Sequence, residues 1–309
     1  MSKKAILAGG SGFIGSAVAR QLVADGWEVA LLTRGPGPAV DPAAGARSVI
    51  WDAAGAGPWE QEVEHADVVV NFAGRSVNSA PTPANRREIL ESRLAAVRAL
   101  GAALARAGNR PAAWVQCSAV GYYGPRGDEP CGEDSPPGND FFAEVCREWE
   151  LTFAAACPPR VRPVALRLGV VLGRAGGAFP RLLRLARAGF GGAAGRGRQG
   201  MSWIHLDDAV DLIVRAATDE TLRGPYNACA PQPVANAEFM RMLRGAVRRP
   251  WSPPVPAFAV RLGARFVMRT DPDLILHGQF AVPVRLLAAG HRFRHPQLEG
   301  ALRDLLAPT

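Results

Sequence analysis

The stretch Ala5-Ile6-Leu7-Ala8-Gly9-Gly10-Ser11-Gly12-Phe13-Ile14-Gly15 decides how this chain is read. Four apolar residues run straight into a glycine turn, and an amphipathic stretch, Phe13 to Asp25, follows. Gly10 and Gly12 can take backbone angles closed to other residues, and without side chains they let a diphosphate lie against the main chain. Gly15 lets the following helix pack close to the strand. The start of that helix offers free N–H groups and the positive end of its dipole. A second apolar run, Glu28 to Thr33, closes a βαβ unit of the dinucleotide-binding kind. A tight turn with no ligand would not require three glycines at this spacing.

The alternation continues outward from this unit. Strands are expected at Ser48–Trp51, Asp67–Phe72, Ala113–Cys117 and Pro163–Leu168, and helices at Pro83–Ala107 and Asp140–Ala156. Runs such as Asp67-Val68-Val69-Val70-Asn71 are apolar on both faces, as buried parallel strands are. The fold class is therefore α/β: a Rossmann-like doubly wound parallel sheet with a smaller C-terminal substrate lobe. Residues 1–170 are expected to form the nucleotide-binding domain, with a later segment, about 201–230, returning to it. Residues 171–309 form the substrate lobe and C-terminal extension. In that half the pattern loosens: a helix at Ala178–Ala188, a glycine-rich segment Gly189–Gly200, a strand at Met201–His205, Pro-rich stretches at Pro231–Pro233 and Pro250–Pro256, then helices at Ala257–Met268 and Pro296–Leu306. There is no internal repeat.

Composition bounds the rest. The chain has 309 residues, 48% hydrophobic and 21% charged, which suits a globular protein. No apolar run approaches the ~18 residues of a membrane span, and glycines interrupt the segment after Lys3-Lys4 too early for a signal peptide. Cys117, Cys131, Cys146, Cys157 and Cys229 are odd in number and scattered, which reads as reduced thiols in a cytoplasmic protein. The net charge is +8, carried almost wholly by arginine, since Lys3 and Lys4 are the only lysines. The arginines are interspersed with Ala, Gly and Glu, which favours a solvated surface over nucleic-acid binding. The expected partner is a small-molecule substrate, with no nucleic acid and no membrane; a homodimer is left open.

The second strand ends in Thr33-Arg34, where an NAD-selective fold places Asp or Glu for the ribose 2′-hydroxyl. A guanidinium suits a 2′-phosphate instead. The expected cofactor is NADP(H), with Arg34 as a solvated strand-end arginine the competing account. Trp51-Asp52 is expected to border the adenine pocket, against a plain strand end. His291 and His295 are four apart, but the alternation around Phe293 reads as a strand, so no metal site is expected there.

The glycine turn, Asn71-Phe72-Ala73-Gly74 and Ser118-Ala119-Val120-Gly121-Tyr122-Tyr123-Gly124 together resemble an extended short-chain dehydrogenase/reductase. More closely, the chain resembles the epimerase-like branch of the NAD-dependent epimerase/dehydratase superfamily, the type labelled cell-division inhibitor, with its C-terminal extension. Supporting segments are Glu133 to Gly138, Arg167 to Gly173, Ser202-Trp203-Ile204-His205-Leu206-Asp207-Asp208, Asn236 to Phe239, and Gly278 to Leu306. The resemblance implies further cofactor contacts: Thr33 and Arg34 at the 2′-phosphate, Phe72, Ala73 and Gly74 after the fourth strand, Glu88 and Arg93 on the long helix, and Val170 at the nicotinamide end. For Glu88 and Arg93 a structural ion-pair network is the competing account.

The resemblance also exposes a departure. The family's usual dyad is Tyr-x-x-x-Lys with a serine. Counting back from Glu150 puts Phe142 at the tyrosine position and Cys146 at the lysine position, and no lysine exists beyond Lys4. Alignment on Tyr123-Gly124 puts Ala119 where the serine is expected, with Ser118 one residue off. Tyr122, Tyr123, His205, Glu144 and Cys146 are the replacement candidates. Tyr122 and Tyr123 lead, because they follow the fifth strand at the end where such sheets bind ligands, with Ser118 beside them; one of the two tyrosines could instead be core. His205 suits a structural role, with Asp207 or Asp208 as a helix cap, and Cys146 suits a small buried residue. Two functions follow. One is an NADP(H)-dependent, epimerase-like oxidoreductase acting on an unidentified small molecule, such as a nucleotide sugar or a carbonyl compound. The other is a non-catalytic NADPH-binding sensor or regulator, linked by the family label to cell division.

Overall fold

The computed structural model describes residues 2–35, 45–249 and 251–308; Pro250, first residue of the Pro-rich stretch Pro250–Pro256, lies outside them. Seven strands form one sheet: β1 (Lys4–Ala8), β2 (Glu28–Thr33), β3 (Arg47–Ile50), β4 (Val68–Asn71), β5 (Ala113–Ala119), β6 (Arg162–Leu168) and β7 (Gly224–Ala228). Their spatial order is 3-2-1-4-5-6-7 and every pairing is parallel. The chain starts in the middle, moves to one edge, returns beside β1 and fills the other edge. That reversal puts a crevice at the carboxyl ends of β1 and β4, where open α/β sheets bind ligands.

The period of two along each strand divides the core. Ala5 and Leu7 of β1 face a layer made by helix α1 (Phe13–Ala24) and a later helix, Leu206–Thr218, while Ile6 and Ala8 face the opposite layer. That layer is α2 (Pro83–Arg106) and α3 (Phe141–Ala156), whose Leu100, Leu104, Trp149 and Phe153 share one buried cluster with Trp114. Trp114 meets Phe153 edge-on at 4.9 Å. α2 is capped by Thr82, whose hydroxyl accepts from the Asn85 N–H, and carries Pro83 at its first position. α3 is capped by Asp140, which accepts from the Ala143 N–H at 2.8 Å.

The second half builds a smaller layer around α4 (Phe179–Arg187), α6 (Asn236–Ala246) and α8 (Leu298–Leu306), with Phe179, Trp203, Phe239 and Leu302 at its centre. Between α4 and α6, helix α5 (Leu206–Thr218) covers the main sheet. Between α6 and α8 comes α7 (Ala257–Gly263), continued by a π-helical turn, Ala264–Met268. The C-terminal extension is not confined to the small layer: Leu286 lies in the sheet core and Phe293 packs against it. Among the described residues, no helix is long and apolar enough to cross a membrane.

Several boundaries differ from expectation. β7 escaped the sequence because Gly-Pro-Tyr-Asn-Ala lacks a strand's apolar pattern. Among the described residues it is an edge strand bonded only to β6, where a proline is tolerated. The strand expected at Met201–His205 is two short pieces broken at Ser202, which is buried and bonded to the Gln279 carbonyl (2.7 Å) and the Ala281 N–H (2.8 Å). The segment around His291 to His295 is irregular backbone, not a strand. Asp207 and Asp208 do not cap α5; His205 does, its Nδ1 accepting from the Asp207 N–H at 3.2 Å. Asp208 is buried instead and accepts from the Arg294 and His295 N–H groups.

Gly10 allows a test of the packing. A Cβ there would lie 2.7 Å from Leu31 Cδ2 and 2.8 Å from Leu7 Cβ, both fully buried. Gly10→Ala should lower the unfolding free energy by about 1–3 kcal/mol through overpacking. Urea denaturation reads this directly, and an unchanged midpoint contradicts the packing described.

Candidate functional site

The opening turn sits at the carboxyl end of β1, and its glycines act differently from the simplest expectation. The left-handed angle belongs to Gly9 (φ 73°), while Gly12 is extended (φ −76°, ψ 174°). A Cβ on Gly9 would lie 3.0 Å from the Ala73 backbone, so the turn is pressed against the loop after β4. A Cβ on Gly15 would lie 2.7 Å from Gly10 Cα; Gly15 thus brings the helix onto the turn, not onto the strand. At Gly12 the nearest atom to such a Cβ is 3.5 Å away, and Ser11 and Gly12 are exposed. Gly12 is also the N-cap of α1 and brings no side chain to it. The first-turn N–H groups therefore open onto a shallow, side-chain-free surface, which is the shape and polarity a diphosphate requires.

Phe13 closes one side of the turn. Gly173, Gly176 and Gly177, from the segment before α4, lie against its ring with no room for a Cβ. The other expected cofactor residues are placed as follows. Ile14 packs against the sheet core. Thr33 is buried and its hydroxyl donates to the Gly35 carbonyl at 2.9 Å, shaping the turn that exposes Arg34. Phe72, Ala73 and Gly74 follow β4, with the Ala73 N–H held by the Asn71 side chain at 2.9 Å. Asn71 is locked to buried Gln116 of β5 (2.9 Å), a pair the sequence reading missed. Val170 is half-buried and starts a short strand paired with Trp203–His205.

Other members of the expected set are used elsewhere. Trp51 is 2% exposed and packs on Trp59 at 5.3 Å, so its indole belongs to the core. Asp52 is exposed and accepts from the Ala54 and Gly55 N–H groups, which hold its carboxyl below the usual range. Glu88 is ion-paired with Arg75. The Arg93 guanidinium donates to the carbonyls of Arg75 (2.9 Å) and Ile89 (2.8 Å) and lies 4.9 Å from the Trp149 ring. Glu88 and Arg93 thus stand in the network that fixes the loop after β4, and Gly74 lies against the Arg93 stem.

The region after β5 holds a buried polar network. Arg167, on β6, donates to both oxygens of Glu150, the closest contact being 2.8 Å. It also donates to the Tyr123 hydroxyl (2.9 Å) and the Glu133 carbonyl (3.1 Å). Ser118 donates to Glu150 at 2.7 Å, and the Tyr123 hydroxyl donates to Asn227 at 2.7 Å. The Glu133 carboxylate accepts from the N–H groups of Asn227 and Arg285, fastening β7 and the C-terminal extension to the same cluster. Burial alone would lower the Arg167 pKa; the bonds from Glu150 reverse this and raise it. A charged residue inside the apolar run Pro163–Leu168 was the signal for this network, since such a residue demands a buried partner.

This geometry separates the two tyrosines. Tyr123 is fully buried, both faces of its hydroxyl are engaged, and burial pushes its pKa up to about 12. The catalytic roles expected of Tyr123 and Ser118 do not fit: both are tied into the framework. Tyr122 is half-buried, with the Arg167 guanidinium 3.5 Å from its ring centre. Phe142 and Cys146 lie beneath Gly121, each 3.8 Å from where a Cβ there would stand. Burial pushes the Cys146 thiol up to about 12, so it supplies neither a cation nor a nucleophile at neutral pH. Glu144 is exposed on α3.

His205, Asp207 and His295 place donor atoms within 4.8 Å of one another, and the two ring centres lie 3.9 Å apart, tilted by 34°. His295, not His291, completes this group. His205 Nδ1 already serves as the α5 cap, and its Nε2 lies 3.3 Å from an Asp304 carboxylate oxygen.

A parallel sheet of this order, with a side-chain-free turn at an uncapped helix start, defines a Rossmann-like nucleotide-binding protein. The NAD dependent epimerase/dehydratase family matches residues 5–229, and a domain of unknown function (DUF1731) matches residues 255–305. The mouse epimerase family protein SDR39U1 is 37% identical over 98% of this chain and 100% of its own length, and Bacillus subtilis YfhF is 34% identical over 97% of both chains. Human SDR39U1 (isoform 2), crystallised with NADPH, is 34% identical over 98% of each chain, with a TM-score of 0.86. The chain belongs to the NAD dependent epimerase/dehydratase family.

Two outcomes test the network. Glu150→Ala leaves the Arg167 charge buried without its carboxylate and should cost about 3–5 kcal/mol of stability, read by urea denaturation; a loss under about 1 kcal/mol contradicts the pairing. The second concerns alkaline pH. In the unfolded chain a thiol ionises near pH ~8.5 and a phenol near ~10. The folded values of Cys146 and Tyr123 are raised, so their contribution is whole below ~8.5 and is lost as pH rises toward ~12. The urea midpoint should fall across that window, and a flat profile contradicts it.

Proposed function

We propose that this chain binds NADP(H) in the crevice at β1 and β4 and carries out epimerase-like oxidoreductase chemistry on a small substrate without the Tyr-Lys dyad. The observation that carries the reading is the exposed, side-chain-free start of α1, where a Cβ at Gly9, Gly10 or Gly15 would collide with backbone or core. The NADPH found with a relative 34% identical over nearly the whole chain supports it. The N–H groups from Phe13 to Gly15 would hold the diphosphate, the Gly12 N–H being engaged by the Gly9 carbonyl at 3.2 Å. Arg34, exposed at the end of β2, would pair with the 2′-phosphate, and Phe72, Ala73 and Val170 would line the path to the nicotinamide. NADP(H) supplies or accepts the hydride. Tyr122, beside Gly121 and under the Arg167 guanidinium, would hold the substrate oxygen through its hydroxyl.

A second reading is a sensor that binds NADPH without turnover. Phe142 and buried Cys146 at the dyad positions favour it, because neither moves a proton at neutral pH. Calorimetry with NADPH and NADH, followed by hydride-transfer assays on carbonyl compounds and nucleotide sugars, separates the two. NADPH should bind about ten- to a hundredfold more tightly than NADH, from charge-assisted bonds to Arg34, and Arg34→Asp should abolish the difference. Tyr122→Phe should keep NADPH affinity and lower turnover by about 10²–10⁴-fold. Tight NADPH binding with no turnover selects the sensor; uptake of neither nucleotide overturns both.

A further inference from the structure

The face built by α7, its π-helical continuation and the chain before it has no counterpart in the cofactor site. Val260 and Ala264 turn inward, 8% and 1% exposed. On the outer side, Phe258, Leu262 and Phe266 follow one another at four-residue spacing, exposed by 73%, 60% and 69%. Four-residue spacing stacks them in one stripe. Arg261, Arg265 and Arg269 are also exposed and run alongside at the same spacing. Large apolar side chains at such exposure on a regular stripe are not accounted for by core packing.

The stripe extends. Trp251 is 73% and Phe190 66% exposed, and the Ser252 hydroxyl donates to the Gly189 carbonyl at 2.7 Å, bringing the chain at Trp251 against the chain at Phe190. Phe190 follows α4, whose Arg181, Arg184 and Arg187 are exposed with Leu185. The charge is one-sided. From Phe239 to Thr270 there are seven arginines and no Asp or Glu, and from Phe179 to Leu206 there are five arginines and none. The first carboxylate beyond the stripe, Asp271, is buried and paired with Arg86 at 2.8 Å. Asp273, next along, lies beside His277.

We infer that this face docks on an anionic lipid surface. Aromatic and leucine side chains would enter the boundary between headgroups and acyl chains, while the arginines alongside reach lipid phosphates, as interfacial amphipathic helices do. The helix lies on the bilayer and does not cross it. A second copy of this chain fits poorly, because a two-fold pairing would set Arg261, Arg265 and Arg269 against a face with no carboxylate. The Arg86–Asp271 pair ties the end of the stripe to the start of α2, so docking would hold the loop after β4 near the membrane. The inference is independent of NADP(H) binding.

Vesicle co-flotation of the full chain tests it, using phosphatidylcholine vesicles with and without phosphatidylglycerol. Flotation should require phosphatidylglycerol and weaken at high salt. Arg261→Glu/Arg265→Glu/Arg269→Glu should weaken partition by about a hundredfold or more, and Phe258→Ser/Phe266→Ser by about tenfold or more, with thermal midpoints near that of the parent. No flotation with anionic vesicles, or equal flotation with neutral ones, overturns the inference. So does a dimer in light scattering that the Phe258→Ser/Phe266→Ser variant dissolves, or retention on immobilised polyglutamate without vesicle binding, which assigns the face to an acidic protein.

Discussion

The Arg167–Glu150 pair is the constraint on which the rest of the molecule hangs. A guanidinium 4% exposed, on the strand next to one edge of the sheet, is tolerable only if its charge and all its donors are met. Meeting them recruits α3 through Glu150, the turn after β5 through Tyr123, and the Glu133 loop through a carbonyl. Through Asn227 and Glu133 the same cluster reaches β7 and Arg285 in the C-terminal extension. One buried charge thus ties residues from five segments to the carboxyl end of the sheet.

The cofactor side depends on an opposite kind of constraint, the exclusion of side chains. Gly9 lets the opening turn meet the loop after β4, and Gly15 sets α1 onto that turn. Phe13 is then enclosed by the glycines at 173, 176 and 177, so the opening turn and the segment before α4 share a contact. Asn71 and Gln116 hold the loop after β4, and no side chain caps the start of α1.

Between these two frameworks lies the place where a Tyr-Lys pair would act. Here it holds Phe142 and Cys146, with Gly121 above them. Neither side chain moves a proton at neutral pH, the Cys146 thiol being pushed up to about 12 by burial. Tyr122 lies under Arg167, half-buried, with its ring against the cluster of Val120, Tyr123, Cys131 and Cys229.

Much of this was legible in the chain alone. β1, β2, β4 and β5 announced themselves because buried parallel strands are continuous apolar runs, and the helical stretches between them followed from the alternation. The glycine turn was legible because few residue types can stand where backbone meets backbone, although which glycine takes the left-handed angle was not. Neither Tyr123 nor Ser118 could be assigned from sequence, since a hydroxyl in the framework and a hydroxyl at a reaction centre have the same spelling. Burial and partners far along the chain decide between them: Tyr123 meets Asn227 across 104 positions, and Ser118 meets Glu150 across 32. The sequence by itself determined the nucleotide-binding core, because local periodicity and glycine sterics act over a few residues. The tertiary structure alone decided which polar groups are locked and which face the crevice, because that depends on contacts between segments that no local pattern records.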